Sequence, residues 1–223
     1  MLADRLTWRR IVTRFVLSES RSESTSESAP GELLDTFRHL GDRKMYDGYI
    51  WKVVVGDFVA PNGEAFTRDI VRSPGAVAVV PIRYNDAGEP FVVLVKQYRA
   101  AFDRVIIEIP AGMRDIPGEA PEVTAIRELA EETGYTATNL ELLHQFYPST
   151  GMTDSVLHVY LATGLSHVGQ ETHGPEEDHM EVFEVPFDEA VAMVVSGEIA
   201  DAKSTIGLLL ADRRLRGLDS VVK

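Results

Sequence analysis

At 223 residues with 44% hydrophobic side chains, the chain suits one folded domain with extensions, or at most two small ones, and has enough apolar material for a sizeable core. Its net charge of −13 argues against general binding to nucleic acid or to an anionic membrane, both of which want basic surface, but leaves room for a small anionic substrate met by local arginines or a bound cation. Cysteine is absent, which excludes a disulfide framework, a zinc–thiolate centre and a thiol nucleophile; no apolar run reaches transmembrane length, and the expected location is cytoplasmic.

Residues 1–17 are basic, with Arg5, Arg9, Arg10 and Arg14 set among Leu6, Trp8, Ile11, Phe15 and Val16. They lack the continuous apolar stretch and the small-residue cleavage site of a secretory signal. They read as a tail without defined function, with a membrane-surface or partner helix as the alternative. Residues 18–28, S-E-S-R-S-E-S-T-S-E-S, have nothing to bury, so residues 1–30 are expected to form a disordered tail. A strand-bearing region at 31–74 and a larger domain at 75–223 follow.

Two hairpins come first. Strands at 49–60 and 65–71 flank Pro61-Asn62-Gly63, and strands at 76–84 and 91–97 flank Asn85-Asp86-Ala87-Gly88. Val105 to Ile109 reads as a further strand, followed by a loop through Gly112. A helix then starts at Pro121, where a missing N–H costs nothing, and stops at Gly134. Val123, Ile126, Leu129 and Ala130 are expected to form its apolar stripe, on the face opposite its carboxylates. Strands near 140–147, 155–163 and 180–185, a loop at 166–179, and helices near 187–196 and 201–214 complete the pattern. A mixed sheet with helices on its faces is the economical architecture.

The helix carries the chemistry. Arg127, Glu128, Glu131 and Glu132 fall within one stretch, and positions three and four apart share a helix face. Three carboxylates on one patch repel each other unless a hard divalent cation joins them, and such oxygen ligands suit Mg²⁺ or Mn²⁺. A charged, solvated face is the ordinary fate of such a run, but here glycines bracket the unit and the spacing continues back to Glu119.

Residues 112–135 resemble the signature of the Nudix hydrolases, G-x5-E-x7-R-E-U-x-E-E-x-G-U with U aliphatic. Glu119, Arg127, Glu128, Leu129, Glu131, Glu132 and Gly134 match; the loop from Gly112 to Glu119 is one residue longer, and Tyr135 replaces the last aliphatic. The resemblance implies an α/β/α sandwich with a mixed sheet, N-terminal antiparallel strands, and a catalytic domain over 75–223. Further segments are similar to the ADP-ribose pyrophosphatases of the actinobacterial type, among them Arg68-Asp69-Ile70, Gln97-Tyr98-Arg99, Glu108-Ile109-Pro110-Ala111-Gly112 and Asp201-Ala202-Lys203-Ser204.

That subgroup implies metal ligation by Glu128, Glu131, Glu132 and the Ala111 carbonyl, with Arg127 bracing the cluster. It implies substrate contacts at Arg68, Arg99 and Met113, where a planar guanidinium suits phosphate. It also implies a catalytic base on the H-G-P-E-E-D loop: Glu177 first, Glu176 second, with Asp178 as a further metal contact. The implied reaction is hydrolysis of ADP-ribose to AMP and ribose 5-phosphate, with pairing into a homodimer through residues 49–71. Thr150-Gly151 stands where these enzymes often carry Pro-Gly, which keeps another nucleoside diphosphate sugar in view. A sensor that binds ADP-ribose without cleaving it is the alternative outside enzymology.

Overall fold

The computed structural model describes residues 36–170 and 178–218. The expected tail over 1–30, together with Glu176 and Glu177, lies outside the described residues.

The chain reverses at Pro61-Asn62-Gly63, where Gly63 takes φ 79° and its N–H donates to the Ala60 carbonyl at 2.9 Å. Positive φ is where glycine costs least. The turn joins β2 (Lys52–Val59) and β3 (Ala65–Arg72), and β1 (Arg38–Asp47) pairs antiparallel with β2, giving a separate sheet in the order β1-β2-β3. β1 has no apolar alternation to announce it: of its residues only Gly41 is even half-buried.

The second sheet is seven-stranded and mixed. It contains β4 (Ala76–Tyr84), β5 (Pro90–Arg99), β6 (Arg104–Glu108), β7 (Ala111–Met113), β8 (Tyr135–Phe146), β9 (Leu157–His167) and β10 (Glu181–Pro186). The order is β10-β5-β4-β9-β8, with β6 on β5 and β7 on β4. β4 and β9 run parallel, as a crossover through a helix requires. β4 is apolar at nearly every position because both of its faces are covered.

Among the described residues, three helices provide the cover: α1 (Pro121–Thr133), α2 (Phe187–Ser196) and α3 (Ala202–Leu215). On one face Ala78, Val80 and Ile82 pack with Val92 and Leu94 against Phe187, Ala190, Leu208 and Ala211 of α2 and α3. On the other, Val77 and Val79 pack with Tyr160 and Ala162 against Ala125 and Leu129 of α1. The result is an α/β/α sandwich. Gly207 sets the depth of α3, since a Cβ there would lie 3.0–3.1 Å from Ile109, Val159 and Val80.

Two expectations need correction. Val123 does not belong to the inward stripe of α1; it is 55% exposed, while Thr124, Ala125, Leu129, Glu132 and Thr133 are buried. Residues 125, 129 and 132 share a face by the helical repeat, so the carboxylate side of α1 turns inward beside the apolar one instead of opposing it. The segment after Ile109 is also more ordered than a loop, because β7 pairs Ala111–Met113 with Ala78–Ala76 of β4. That pairing holds the glycine segment flat beneath α1.

Candidate active site

α1 is placed by its ends. Pro121 opens it, and Gly134 closes it at φ 74° with an N–H to the Ala130 carbonyl at 2.9 Å. Just upstream, Glu119 accepts a hydrogen bond from the Thr124 hydroxyl at 2.8 Å, which holds its carboxyl below the usual range with help from Arg127.

Arg127 is the hub of the acidic cluster. Its Nη1 lies 2.9 Å from both Glu128 and Glu131, and its Nη2 lies 3.3 Å from Glu119 and 3.4 Å from Asp115. Burial alone would lower its pKa, but the charges of Glu128, Glu119 and Glu131 carry it well above the ordinary arginine value. Glu128 is pressed onto Gly112: a Cβ at that glycine would overlap the Glu128 carboxylate, so glycine is required there. Burial pushes the Glu128 carboxyl up to about 7, against the pull of Arg127 and with the push of Glu131. Glu132 is 4% exposed and accepts a hydrogen bond from the Ala111 amide at 2.9 Å.

The donors around Gly112 are therefore all hard oxygens in a partly desolvated cradle, and their chemistry suits a divalent cation. Among the described residues, no group of three acidic or histidine side chains is gathered as ligands of one ion. Glu128 and Glu131 instead share Arg127, and Glu132 faces the Ala111 amide.

Arg99, at the end of β5, makes a bidentate pair with Glu108, Nε to Oε1 at 2.7 Å and Nη2 to Oε2 at 2.6 Å. Glu108 is 2% exposed. Burial would raise its carboxyl, yet the hydrogen bond from Arg99 and the charge of Lys203 hold it below the usual range. Lys203 also contacts Glu108 and reaches Asp201 at 2.9 Å. Sequence reasoning gave no role to Glu108, Lys203 or Asp201. The available signal was a lone glutamate in the apolar run V-I-I-E-I, since a buried charge must be paired.

Met113 sits on β7 opposite Ala76. Arg68 is not gathered with these groups. It lies on β3 opposite Gly56, with its guanidinium 4.8 Å over the Phe66 ring and bonded to the Thr67 carbonyl. An open cavity of about 550 Å³ runs between the two sheets, lined by Tyr49, Ile50, Lys52, Arg72, Ser73 and Asp115 among others. Asp115 links its wall to Arg127. The segment holding Thr150-Gly151 docks against β3, with the Val71 N–H donating to the Met152 carbonyl at 2.9 Å.

A sandwich that seats an R-E-x-x-E-E helix on a glycine segment defines a class of hydrolase, and residues 73–205 match the family model for the NUDIX domain. The chain belongs to the Nudix family and is a Nudix hydrolase. It is 41% identical over 169 residues to the ADP-ribose pyrophosphatase of Bacillus subtilis (strain 168), covering 76% of this chain and 89% of that one. It is 35% identical over 173 residues to the ADP-ribose pyrophosphatase of Mycobacterium tuberculosis (78% and 82% covered). It is 37% identical over 189 residues to the GDP-mannose pyrophosphatase of Cronobacter sakazakii (80% and 95% covered). The crystal structure of an ADP compounds hydrolase superposes with a TM-score of 0.70 at 22% identity, covering 88% of this chain and all of that one, which is a likeness of fold.

Proposed function

We propose that the protein hydrolyses the diphosphate bond of ADP-ribose, giving AMP and ribose 5-phosphate, with Mg²⁺ or Mn²⁺ as cofactor. The observation that carries the hydrolytic reading is the Glu128–Gly112 cradle braced by Arg127. The substrate choice rests on similarity to two ADP-ribose pyrophosphatases.

In this reading Glu128, Glu131, Glu132 and the Ala111 carbonyl hold the cation. When bound, it polarises the phosphoryl oxygens and makes its water a better nucleophile at neutral pH. Arg127 keeps Glu128 and Glu131 in place and offsets their repulsion. Arg99 and the backbone at Met113 meet the diphosphate, Arg99 as a planar fork of donors already oriented by Glu108. Glu177, with Glu176 as the alternative, takes the proton of the attacking water. Asp178 is placed near enough in sequence to assist. The cavity between the sheets has the size typical of small-ligand sites, and we assign it to the rest of the nucleotide because Asp115 in its wall meets Arg127.

A homodimer and a cytoplasmic location belong to the same proposal. β1 exposes Leu40, Met45 and Tyr46, with Tyr49 and Trp51 beside them, and a symmetric partner would cover both this surface and the sheet edge. Arg68 would act from that sheet. Among the described residues no helix is long and apolar enough to cross a membrane.

A second reading has specific support. The match to a GDP-mannose pyrophosphatase and the Thr150-Gly151 pair both favour another nucleoside diphosphate sugar. A turnover screen over such sugars with each metal separates the two, and binding of ADP-ribose without hydrolysis would point to the sensor.

A further inference from the structure

The first turn of α3 reaches the opposite end of the site through buried charge. Lys203, whose side chain is only 11% exposed, contacts Glu108, and Glu108 gives both carboxylate oxygens to Arg99. The N-cap residue Asp201 holds the assembly from below. Its Oδ2 accepts from Lys203 Nζ at 2.9 Å, from the Ser204 amide at 3.0 Å and from the Ser204 hydroxyl at 2.6 Å. Ser204 Oγ in turn accepts the Ile109 N–H at 2.9 Å. One helix turn thus fixes the Glu108 side chain and the Ile109 backbone, immediately before the Pro110-Ala111-Gly112 segment under Glu128.

Glu108 is buried and Lys203 nearly so, while Arg99 and Asp201 keep 39% and 22% of their side chains exposed. Such a tetrad adds little net stability, because desolvation offsets the attraction. What it does supply is geometry: Arg99 has rotatable bonds that only a charged, immobile partner will freeze in a forked orientation. Arg99 also lies within the electrostatic reach of Glu132, on the carboxylate helix.

We propose that Lys203, with Asp201, is a positioning residue for diphosphate hydrolysis: it holds Glu108, which holds the Arg99 fork toward the substrate. The inference rests on the reading of Arg99 as a diphosphate contact. It extends the site to a helix packed on the far face of the sheet.

A double-mutant cycle with an independent spectroscopic readout tests it. Lys203→Met should lower kcat/KM about tenfold or more, chiefly through KM. It should also abolish the slowly exchanging Arg99 Nε–H resonance in ¹⁵N side-chain spectra of the substrate-free protein. Lys203→Arg should restore both. Because Lys203→Met strands the buried Glu108 carboxylate, the neutral pair Glu108→Gln/Lys203→Met serves as the better-folding variant, with the same kinetic loss expected. In an Arg99→Ala background, Lys203→Met should change kcat/KM by no more than about twofold, since the group it acts through is gone. Equal and additive losses in both backgrounds, or an unchanged Arg99 resonance in Lys203→Met, would overturn the proposal and leave a structural ion cluster. Wild-type kinetics for Arg99→Ala alone would instead remove the diphosphate-contact reading, and the positioning role with it.

Discussion

A single methyl group separates a working cradle from a blocked one at Gly112. The Glu128 carboxylate fills the space where a Cβ would stand. Gly112→Ala should displace that carboxylate and cost on the order of 100-fold in kcat/KM while the protein stays folded; near wild-type turnover would show that Glu128 tolerates another position. Glu128→Gln and Glu132→Gln should abolish turnover and weaken Mn²⁺ binding measured by calorimetry, because the amide keeps the shape and loses the charge. Glu177→Gln should keep Mn²⁺ affinity and slow the reaction by about 100- to 10,000-fold, the usual contribution of a general base. If Glu176→Gln is the slow variant and Glu177→Gln is not, the base is the neighbouring residue; if both run at full speed, the water is activated elsewhere. Gly112, Glu128 and Glu132 stood out in the sequence because the R-E-x-x-E-E spacing and its glycines form one local pattern, whereas Glu176 and Glu177 were proposed from the family resemblance alone. Glu108, Lys203 and Asp201 did not stand out, because they meet from a strand and a helix separated by about a hundred positions, and no local period encodes that pairing.

Elements show where local pattern and tertiary packing part. Tyr135 breaks the aliphatic rule at the end of the signature, and the structure gives the reason. It starts β8, its hydroxyl donates to Glu184 at 3.1 Å, and its ring meets His167 edge-on. Glu184 also receives a forked pair from Arg83, and these bonds, Arg83 first, hold its carboxyl below the usual range. Its unfolded form therefore binds a proton more readily than its folded form. The stabilisation is complete above the ordinary carboxylate pKa and drains away as pH falls through the lower folded value. Arg83→Leu should lower Tm near neutral pH and make Tm fall less on acidification. A Tm–pH slope identical to wild type would show that the pair contributes nothing. At α3, Gly207→Val should cost about 1–3 kcal/mol by overpacking against Val80, Ile109 and Val159, read from denaturant unfolding. β1 went unrecognised in the sequence because its side chains face solvent, and Val123 was wrongly assigned to the stripe on α1 because the carboxylates were expected on the opposite face.

At the scale of the molecule, the two sheets define what surrounds the Nudix helix. β4, β5 and the Nudix helix follow from apolar runs and turn residues, so the sandwich was readable. The contact of the 150–153 segment with β3 was not, since a single bridge at Val71 and Thr153 leaves no sequence period. Sedimentation at micromolar concentration should show a dimer, with the exposed Leu40, Met45 and Tyr46 at the interface; a monomer would remove Arg68 acting from a paired sheet. A chain starting near Pro30 should retain the full turnover rate, because the Ser/Glu repeat offers nothing to pack; loss of activity by a folded truncation would assign that tail a role. The central claim is diphosphate hydrolysis with ADP-ribose preferred. It is tested most directly by steady-state kcat/KM for ADP-ribose, GDP-mannose and UDP-glucose under one Mg²⁺ condition, with the products identified. The account predicts the highest value for ADP-ribose, with AMP and ribose 5-phosphate as products. A higher value for either sugar nucleotide, or binding of ADP-ribose with no hydrolysis, would contradict it.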